Sequence, residues 1–357
     1  MDDILERLWA LAPNDPDDSN TSGSGSRLDH ALTAANDERI TEAQALWRTL
    51  ETLLMAAKPQ ELSVGDATFT RLLSCARTVL NDPACWCAHA MDKHDKGVYV
   101  YVNRVLVKLG CRGKRERDAL VRDGVAELLV ASMQHQSDST IASGSVLHVL
   151  QTLAFDAKNR QALVLAETLP FCLSLMKRHP RDLHVQRFGC KFLQLMVYEE
   201  ECKDKMMRYG VIYAVLDALR RFPSDAQMGV SALELIYFLS MELETAMPTE
   251  QQFVSMMEDI VDCVMAAMRL HMQQEQVQTN GIGILNGFVT HAHAKRLVCA
   301  KPVWEVVLSA LLSSGNESES TSEAIEFLEA LLSDPITFDT IEYTLKAPSI
   351  NECTKVG

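Results

Sequence analysis

The chain has 357 residues, of which 47% are hydrophobic, and its formal net charge is −14. The apolar fraction allows a large core and excludes extended disorder, and the negative charge argues against general binding to phosphate backbones. No run of about 18 apolar residues occurs, so we predict no membrane-spanning helix. Leu, Ala, Met and Glu are plentiful and period-two alternation is rare, which predicts an all-α protein.

The region before residue 115 is predicted to hold a short helix, a linker and a helical cap. Met1–Leu11 is acidic and amphipathic and lacks the basic start of a secretory signal. Pro13–Arg27 is rich in Ser, Asp, Asn and Gly, which is typical of a flexible linker. The helices that follow do not share the register of the later repeat, and we assign them to an N-terminal cap. They are predicted at Leu28–Ala57, Thr68–Leu80 and Gly97–Leu109.

One group of cysteines and histidines falls within the cap. Cys85, Cys87, His89 and His94 are residue types that bind zinc. Their C-x-C spacing differs from the usual C-x₂-C, and no second pair follows, so we interpret them as reduced thiols at a junction and predict no metal. The ten cysteines are scattered along the chain, which favours a reducing, cytosolic compartment.

The segment Cys111–Arg122 is the basic cluster of this acidic chain. Its cations are Arg112, Lys114, Arg115, Arg117 and Arg122. Two interpretations stay open. The cations can be solvated side chains between helices, or they can dock an acidic tail or a phosphorylated segment of a partner.

Apolar residues recur with a period of 43 residues through the second part of the chain. The pair Leu193 and Met196 has counterparts one period earlier and later, and again beyond an insertion of six residues near Pro248. Those pairs are Leu150 and Leu153, Ile236 and Leu239, Leu285 and Phe288, and Leu328 and Leu331. Each unit divides into three helices with helical apolar spacing. Gly124 or Gly210 separates the first helix from the second, since glycine readily adopts the left-handed backbone conformation that ends an α-helix.

Two third helices contain the same phrase, Val-Gln-x-x-Gly, beginning at Val185 and Val277. The length of the unit, the Gly before the second helix and this phrase resemble the armadillo repeat, over about Arg115 to Leu332. The resemblance implies a right-handed α-α superhelix, a solenoid of about five three-helix repeats, whose third helices line a concave groove. HEAT repeats, which have two helices per unit, are the close alternative.

The resulting domain assignment has four parts. Residues 1–27 are a helix and a linker, 28–114 the cap, 115–333 the repeats and 334–357 a C-terminal capping helix and tail. Within the repeats, Pro248 breaks a helix, and Thr249 with Gln252 predicts a capping box that restarts it.

The resemblance also points to candidate groove residues. In peptide-binding armadillo proteins, third helices carry Trp and Asn four residues apart, and the Asn side chains bind the backbone of an extended peptide. Neither ladder is present at the matching positions here, which argues against recognition of nuclear localisation peptides. The candidate groove residues at these positions are His148, Thr152, Lys191, Leu195, Glu234 and Phe238. Apolar Leu195 and Phe238 fit a groove for a helix or a folded surface, or they are core residues; both interpretations stay open.

Motifs for enzymatic chemistry are absent from the sequence: there is no P-loop, no G-x-S-x-G and no H-E-x-x-H. We therefore predict no catalytic residue and no cofactor. The expected function is a non-catalytic scaffold or adaptor in the cytoplasm, whose partners are proteins and not nucleic acids. Analogy with the family leaves two alternatives, a structural component of a cytoskeletal, ciliary or flagellar assembly and a regulatory subunit of a kinase or chaperone.

Overall fold

The computed structural model describes residues 1–11, 27–56, 67–81, 97–133, 138–290, 292–313, 319–333 and 338. Within these ranges the chain forms helices joined by turns, without a strand, so the predicted all-α class is confirmed. The chain divides into two compact units, Met1–Cys202 and Lys203–Gly357, called here the N-terminal unit and the C-terminal unit. Among the described helices, none is long and apolar enough to cross a membrane. The four-part domain assignment from the sequence stays a prediction.

In the N-terminal unit, the last helix of the predicted cap packs side by side with the third helices of two repeats. Helix α4 contacts α2 on one side and α7 on the other, and α7 also contacts α10. The helices are α1 (Asp2–Ala10), α2 (Arg27–Ala56), α3 (Ala67–Asn81), α4 (Gly97–Gly110), α5 (Lys114–Arg122), α6 (Val125–Ser132), α7 (Thr140–Leu153), α8 (Ala157–Leu165), α9 (Thr168–Arg178) and α10 (Leu183–Met196). The cap helices begin and end within one residue of their predicted bounds.

The C-terminal unit repeats this arrangement, with α16 between α13 and α19. The remaining helices in chain order are α11 (Glu200–Tyr209), α12 (Val211–Arg221), α13 (Ala226–Ser240), α14 (Leu243–Ala246), α15 (Glu250–Leu270), α16 (Glu275–Val289), α17 (Ala292–Ala300), α18 (Val303–Ser313) and α19 (Glu319–Leu332). The predicted break at Pro248 falls between α14 and α15. Thr249 caps α15, because its Oγ1 accepts the Gln252 N–H at 3.3 Å.

Polar residues at the repeat period fix where the third helices begin. Ser139, Asp182 and Asp225 precede α7, α10 and α13, and each side chain accepts the N–H three residues on, at 3.2, 2.9 and 2.8 Å. These bonds satisfy backbone donors that the first helical turn leaves without a partner.

A left-handed residue separates the first helix from the second in three successive repeats. Gly124 and Gly210 have φ of 74° and 70°, as the sequence predicted. Glu167 occupies the equivalent position between them with φ of 54°. A side chain is disfavoured in this conformation, so the repeat geometry overrides the local preference of Glu167.

The Val-Gln-x-x-Gly phrase joins the third helix to the second. The buried Gln186 amide donates to the carbonyl of Met176 at 2.8 Å and to that of His179 at 3.0 Å. These carbonyls lie at the C-terminal end of α9, where helical partners run out. In the C-terminal unit, Gln278 makes the same two bonds, to Met268 at 2.9 Å and His271 at 3.0 Å.

The Gly of the phrase lets the same two helices approach closely. A Cβ at Gly189 would lie 2.6 Å from Met176 Sδ, and a Cβ at Gly281 would lie 2.6 Å from Met268 Sδ. Both methionines are buried, with exposed fractions of 1% and 0%. The repeated phrase is therefore a packing device.

We predict that Gly189→Ala lowers the free energy of unfolding by about 1–3 kcal/mol, because the added Cβ would force the buried Met176 side chain to shift. Gly287→Ala is the matched control, since a Cβ at this helical position meets nothing within 4 Å. The control should be neutral or slightly stabilising. Urea unfolding followed by circular dichroism measures both; equal stability of the two variants would contradict the packing role of Gly189.

Candidate interaction surface

The candidate groove positions lie on third helices, and their burial separates them into two groups. His148, Lys191, Glu234 and Phe238 are half-buried, so part of each side chain is accessible. Thr152 and Leu195 are buried, with exposed fractions of 9% and 7%. The first group therefore supplies surface, and the second supplies packing.

Thr152 and Leu195 illustrate the packing role. The Thr152 hydroxyl donates to the His148 carbonyl at 2.8 Å. Its Cγ2 lies 2.7 Å from where a Cβ would stand on Gly110, so Thr152 fills the space left by that glycine on α4. Leu195 lies in the core with its neighbours Gln194 and Met196.

His148 is the centre of a cluster of rings and cations in the N-terminal unit. Its ring stacks on Phe188 of α10, with centroids 4.3 Å apart and an interplanar angle of 7°. Burial lowers the pKa of His148 from 6.5 to about 4, and the positive charges of Lys108, Arg104 and His184 contribute to the shift. Because burial and the nearby cations both disfavour the protonated form, the imidazole is neutral at pH 7.

Aromatic residues that were not selected from the sequence complete these surfaces. Phe188 stacks on His148, and Tyr237 makes an edge contact with Phe238 at 5.5 Å between centroids. Tyr237 Cε2 lies 3.0 Å from where a Cβ would stand on Gly283. Gly283 thus accommodates a ring from the preceding third helix, a relation that the helical period alone does not specify.

The cations of the basic cluster lie on α5 and the turn before it, and they differ in exposure. Lys114, Arg115 and Arg122 are exposed, while Arg112 and Arg117 are half-buried. Arg117 binds the Asp156 carboxylate through Nε and Nη2, the latter at 3.2 Å, and donates from Nη1 to the Gly110 carbonyl at 3.0 Å. Its guanidinium lies 5.6 Å from the Phe155 ring centroid. Arg117 is therefore held within the repeat, and the exposed cations are the ones accessible to a partner.

The same arrangement occurs one repeat later. Arg160 binds Glu199 at 3.5 Å, and its guanidinium lies 5.4 Å from the Tyr198 ring centroid. In both repeats the cation on the first helix pairs with an acidic residue 39 positions further along the chain. These pairs join successive units of the repeat.

Side chains suited to chemistry are scarce in the described part of the chain. No group of three or more His, Cys, Asp or Glu side chains that could hold a metal occurs there, and Cys85, Cys87, His89 and His94 lie outside it. A cavity of about 250 Å³ in the C-terminal unit is lined by apolar groups together with Arg220, Cys263 and His271. Burial raises the pKa of the Cys263 thiol. This thiol is therefore protonated at neutral pH and is a poor nucleophile.

We expect Arg117→Ala to lower the free energy of unfolding by about 1–3 kcal/mol, since it leaves the partly buried Asp156 carboxylate without its cation. Lys114→Ala removes an exposed cation of the same cluster and should change stability by less than about 0.5 kcal/mol. Chemical unfolding of the two variants checks this, and a destabilisation by Lys114→Ala as large as that by Arg117→Ala would contradict it.

The low pKa of His148 predicts a pH dependence of stability. Since the folded-state pKa of about 4 lies below the ordinary value of 6.5, the unfolded chain binds more protons between these values. The free energy of unfolding should fall as the pH falls through that window, and His148→Gln should remove this component. Titration of the His148 ring by NMR measures the pKa directly. Lys108→Met should raise it, and a wild-type value near 6.5 would contradict the proposed environment.

Comparison with known proteins identifies the fold. Residues 167–344 match the family model described as LRRK2 ARM repeat. The crystal structure of an engineered protein from the Northeast Structural Genomics Consortium is similar at a TM-score of 0.51 with 16% sequence identity, covering 71% of this chain and 99% of that chain. No curated protein matches the chain. The family match over residues 167–344 and the all-helical architecture of the described residues are consistent with an armadillo-like helical protein.

Proposed function

We propose that the chain is a non-catalytic scaffold or adaptor that binds other proteins through the surface of its third helices. The observation that carries the proposal is the partial exposure of His148, Lys191 and Glu234 at equivalent repeat positions, between neighbours that are buried, together with the half-buried Phe238 one turn beyond Glu234. Side chains so placed contribute little to the core. Within each compact unit they form a surface on helices that pack side by side, and a preformed surface loses little conformational entropy on binding.

The cysteines favour a reducing compartment such as the cytoplasm. Seven cysteines of the described part of the chain stand outside any disulfide: Cys75, Cys111, Cys172, Cys190, Cys202, Cys263 and Cys299. Five of them are buried, and buried cysteines outside disulfides are typical of intracellular proteins. Burial also raises the pKa of Cys75 to about 11, so this thiol has little thiolate character.

Site-specific photo-crosslinking tests the proposed surface. We expect a protein with p-benzoylphenylalanine in place of Phe238 to crosslink to partner proteins in cell lysate, because this half-buried side chain faces the proposed surface. Tyr213 provides the matched control position, since it is an exposed aromatic residue on a second helix of the same unit.

Mass spectrometry of the crosslinked products distinguishes the outcomes. Partners captured from position 238 and not from position 213 support the scaffold. Capture from position 213 alone, or from neither position, contradicts binding through the third helices of the C-terminal unit. Capture of filament proteins from position 238 would instead assign the surface to a cytoskeletal assembly.

A further inference from the structure

The inner helices of the N-terminal unit, defined as α4, α7 and α10, carry charge of one sign. None of the three contains Asp or Glu, although the chain has 48 acidic residues in total. Their cations are Arg104 and Lys108 on α4 and Arg187 and Lys191 on α10, and histidines stand at positions 148 and 184. The segregation is unexpected in a chain of net charge −14 and marks this face as different from the rest of the surface.

The cations are grouped around one row across the three helices. Arg104, His148 and Lys191 lie on α4, α7 and α10 in turn, and each is half-buried. Lys108, Arg104 and His184 all lie close enough to act electrostatically on His148. The apolar ring of Phe188 stacks on both histidines. Its centroid lies 4.3 Å from that of His148 and 6.1 Å from that of His184.

The charges of this row are only partly compensated within the fold. Arg104 pairs with Glu51 of α2 at 3.3 Å, and the Arg104 side chain remains 41% exposed. Lys191 Nζ donates to the neutral Gln194 side chain at 2.6 Å. Neutral partners leave the charge of a lysine uncompensated, so an anionic ligand would gain Coulomb energy at this row.

The inner helices of the C-terminal unit have the opposite sign. Helices α13, α16 and α19 contain no Lys or Arg, and they carry Glu234, Glu275 and the glutamates of α19. The difference in sign favours an anionic ligand at the inner helices of the N-terminal unit over those of the C-terminal unit.

We propose that the inner helices of the N-terminal unit bind an extended, carboxylate-rich segment of a partner protein, with acidic side chains on Arg104 and Lys191. This inference rests on the proposed scaffold function and names the chemistry of the ligand. Packed helices lie about 8–10 Å apart, and a polyproline II segment advances roughly 9 Å in each turn of three residues. Because α7 lies between α4 and α10, acidic residues six positions apart on such a segment would meet Arg104 and Lys191 from one side.

A synthetic peptide of repeating Pro-Pro-Glu units is the probe for this register. Its control is a peptide of the same composition in which the glutamates are contiguous. We expect the repeating peptide to bind the full chain more tightly than the control peptide, in calorimetric or fluorescence titrations, and to bind more weakly as salt is added. Equal binding of the two peptides would overturn the register, and no binding of either would overturn the acidic ligand.

Charge variants locate the site. Lys191→Glu should weaken binding about tenfold or more, equivalent to about 1.4 kcal/mol. Lys177→Glu changes the net charge equally at an exposed position on α9 and should leave the affinity unchanged. Arg104→Gln serves as a second variant that does not place a new carboxylate beside Glu51. Equal weakening by Lys177→Glu and Lys191→Glu would assign binding to net charge and contradict the site.

The two proposals fail in different ways. If position 238 captures partners while the peptide does not bind, the scaffold function stands and the acidic ligand is wrong. If the peptide binds at Arg104 and Lys191 and position 238 captures nothing, the site on the N-terminal unit stands. The proposal that the third helices of the C-terminal unit also bind partners is then wrong.

Discussion

The contact between the second and third helices is the constraint on which the repeat depends. In each unit a buried glutamine closes the end of the second helix, and a glycine three residues later receives a methionine from that helix. The hydrogen bonds fix the third helix along its axis, and the absence of a Cβ fixes its distance. Together they fix its rotation, because glutamine and glycine must both face the second helix.

Rotation of the third helix decides which residues form surface. With Gln186 and Gly189 turned toward α9, Lys191 is half-buried and Leu195 becomes part of the core. The equivalent rotation of α7 places His148 against Phe188 and beside the cations of α4. The charged inner face of the N-terminal unit is thus a consequence of packing on the opposite side of the same helices.

Periodicity was sufficient to predict the helices, because a third helix packed between two neighbours needs apolar residues at fixed spacing. The left-handed conformations of Gly124 and Gly210 were predictable because glycine tolerates them. That of Glu167 was not, because a residue with a side chain disfavours this conformation. The Arg117–Asp156 pair joins residues 39 apart, and no local pattern connects them. Whether Leu195 is surface or core depends on a helical rotation of one residue, which the sequence left open. The segregation of charge was visible in the sequence, but it acquired meaning only once α4, α7 and α10 were known to lie side by side.

The glutamine bonds also have a dynamic consequence. Fraying of the last turn of α9 releases the Met176 and His179 carbonyls, and it then leaves the buried Gln186 amide without acceptors. Local opening of that turn is therefore penalised by a side chain in the first turn of α10, and we expect the two helices to exchange their amide hydrogens as one cooperative unit. Gln278 imposes the same coupling between α15 and α16, which gives each compact unit its own internally coupled pair of helices.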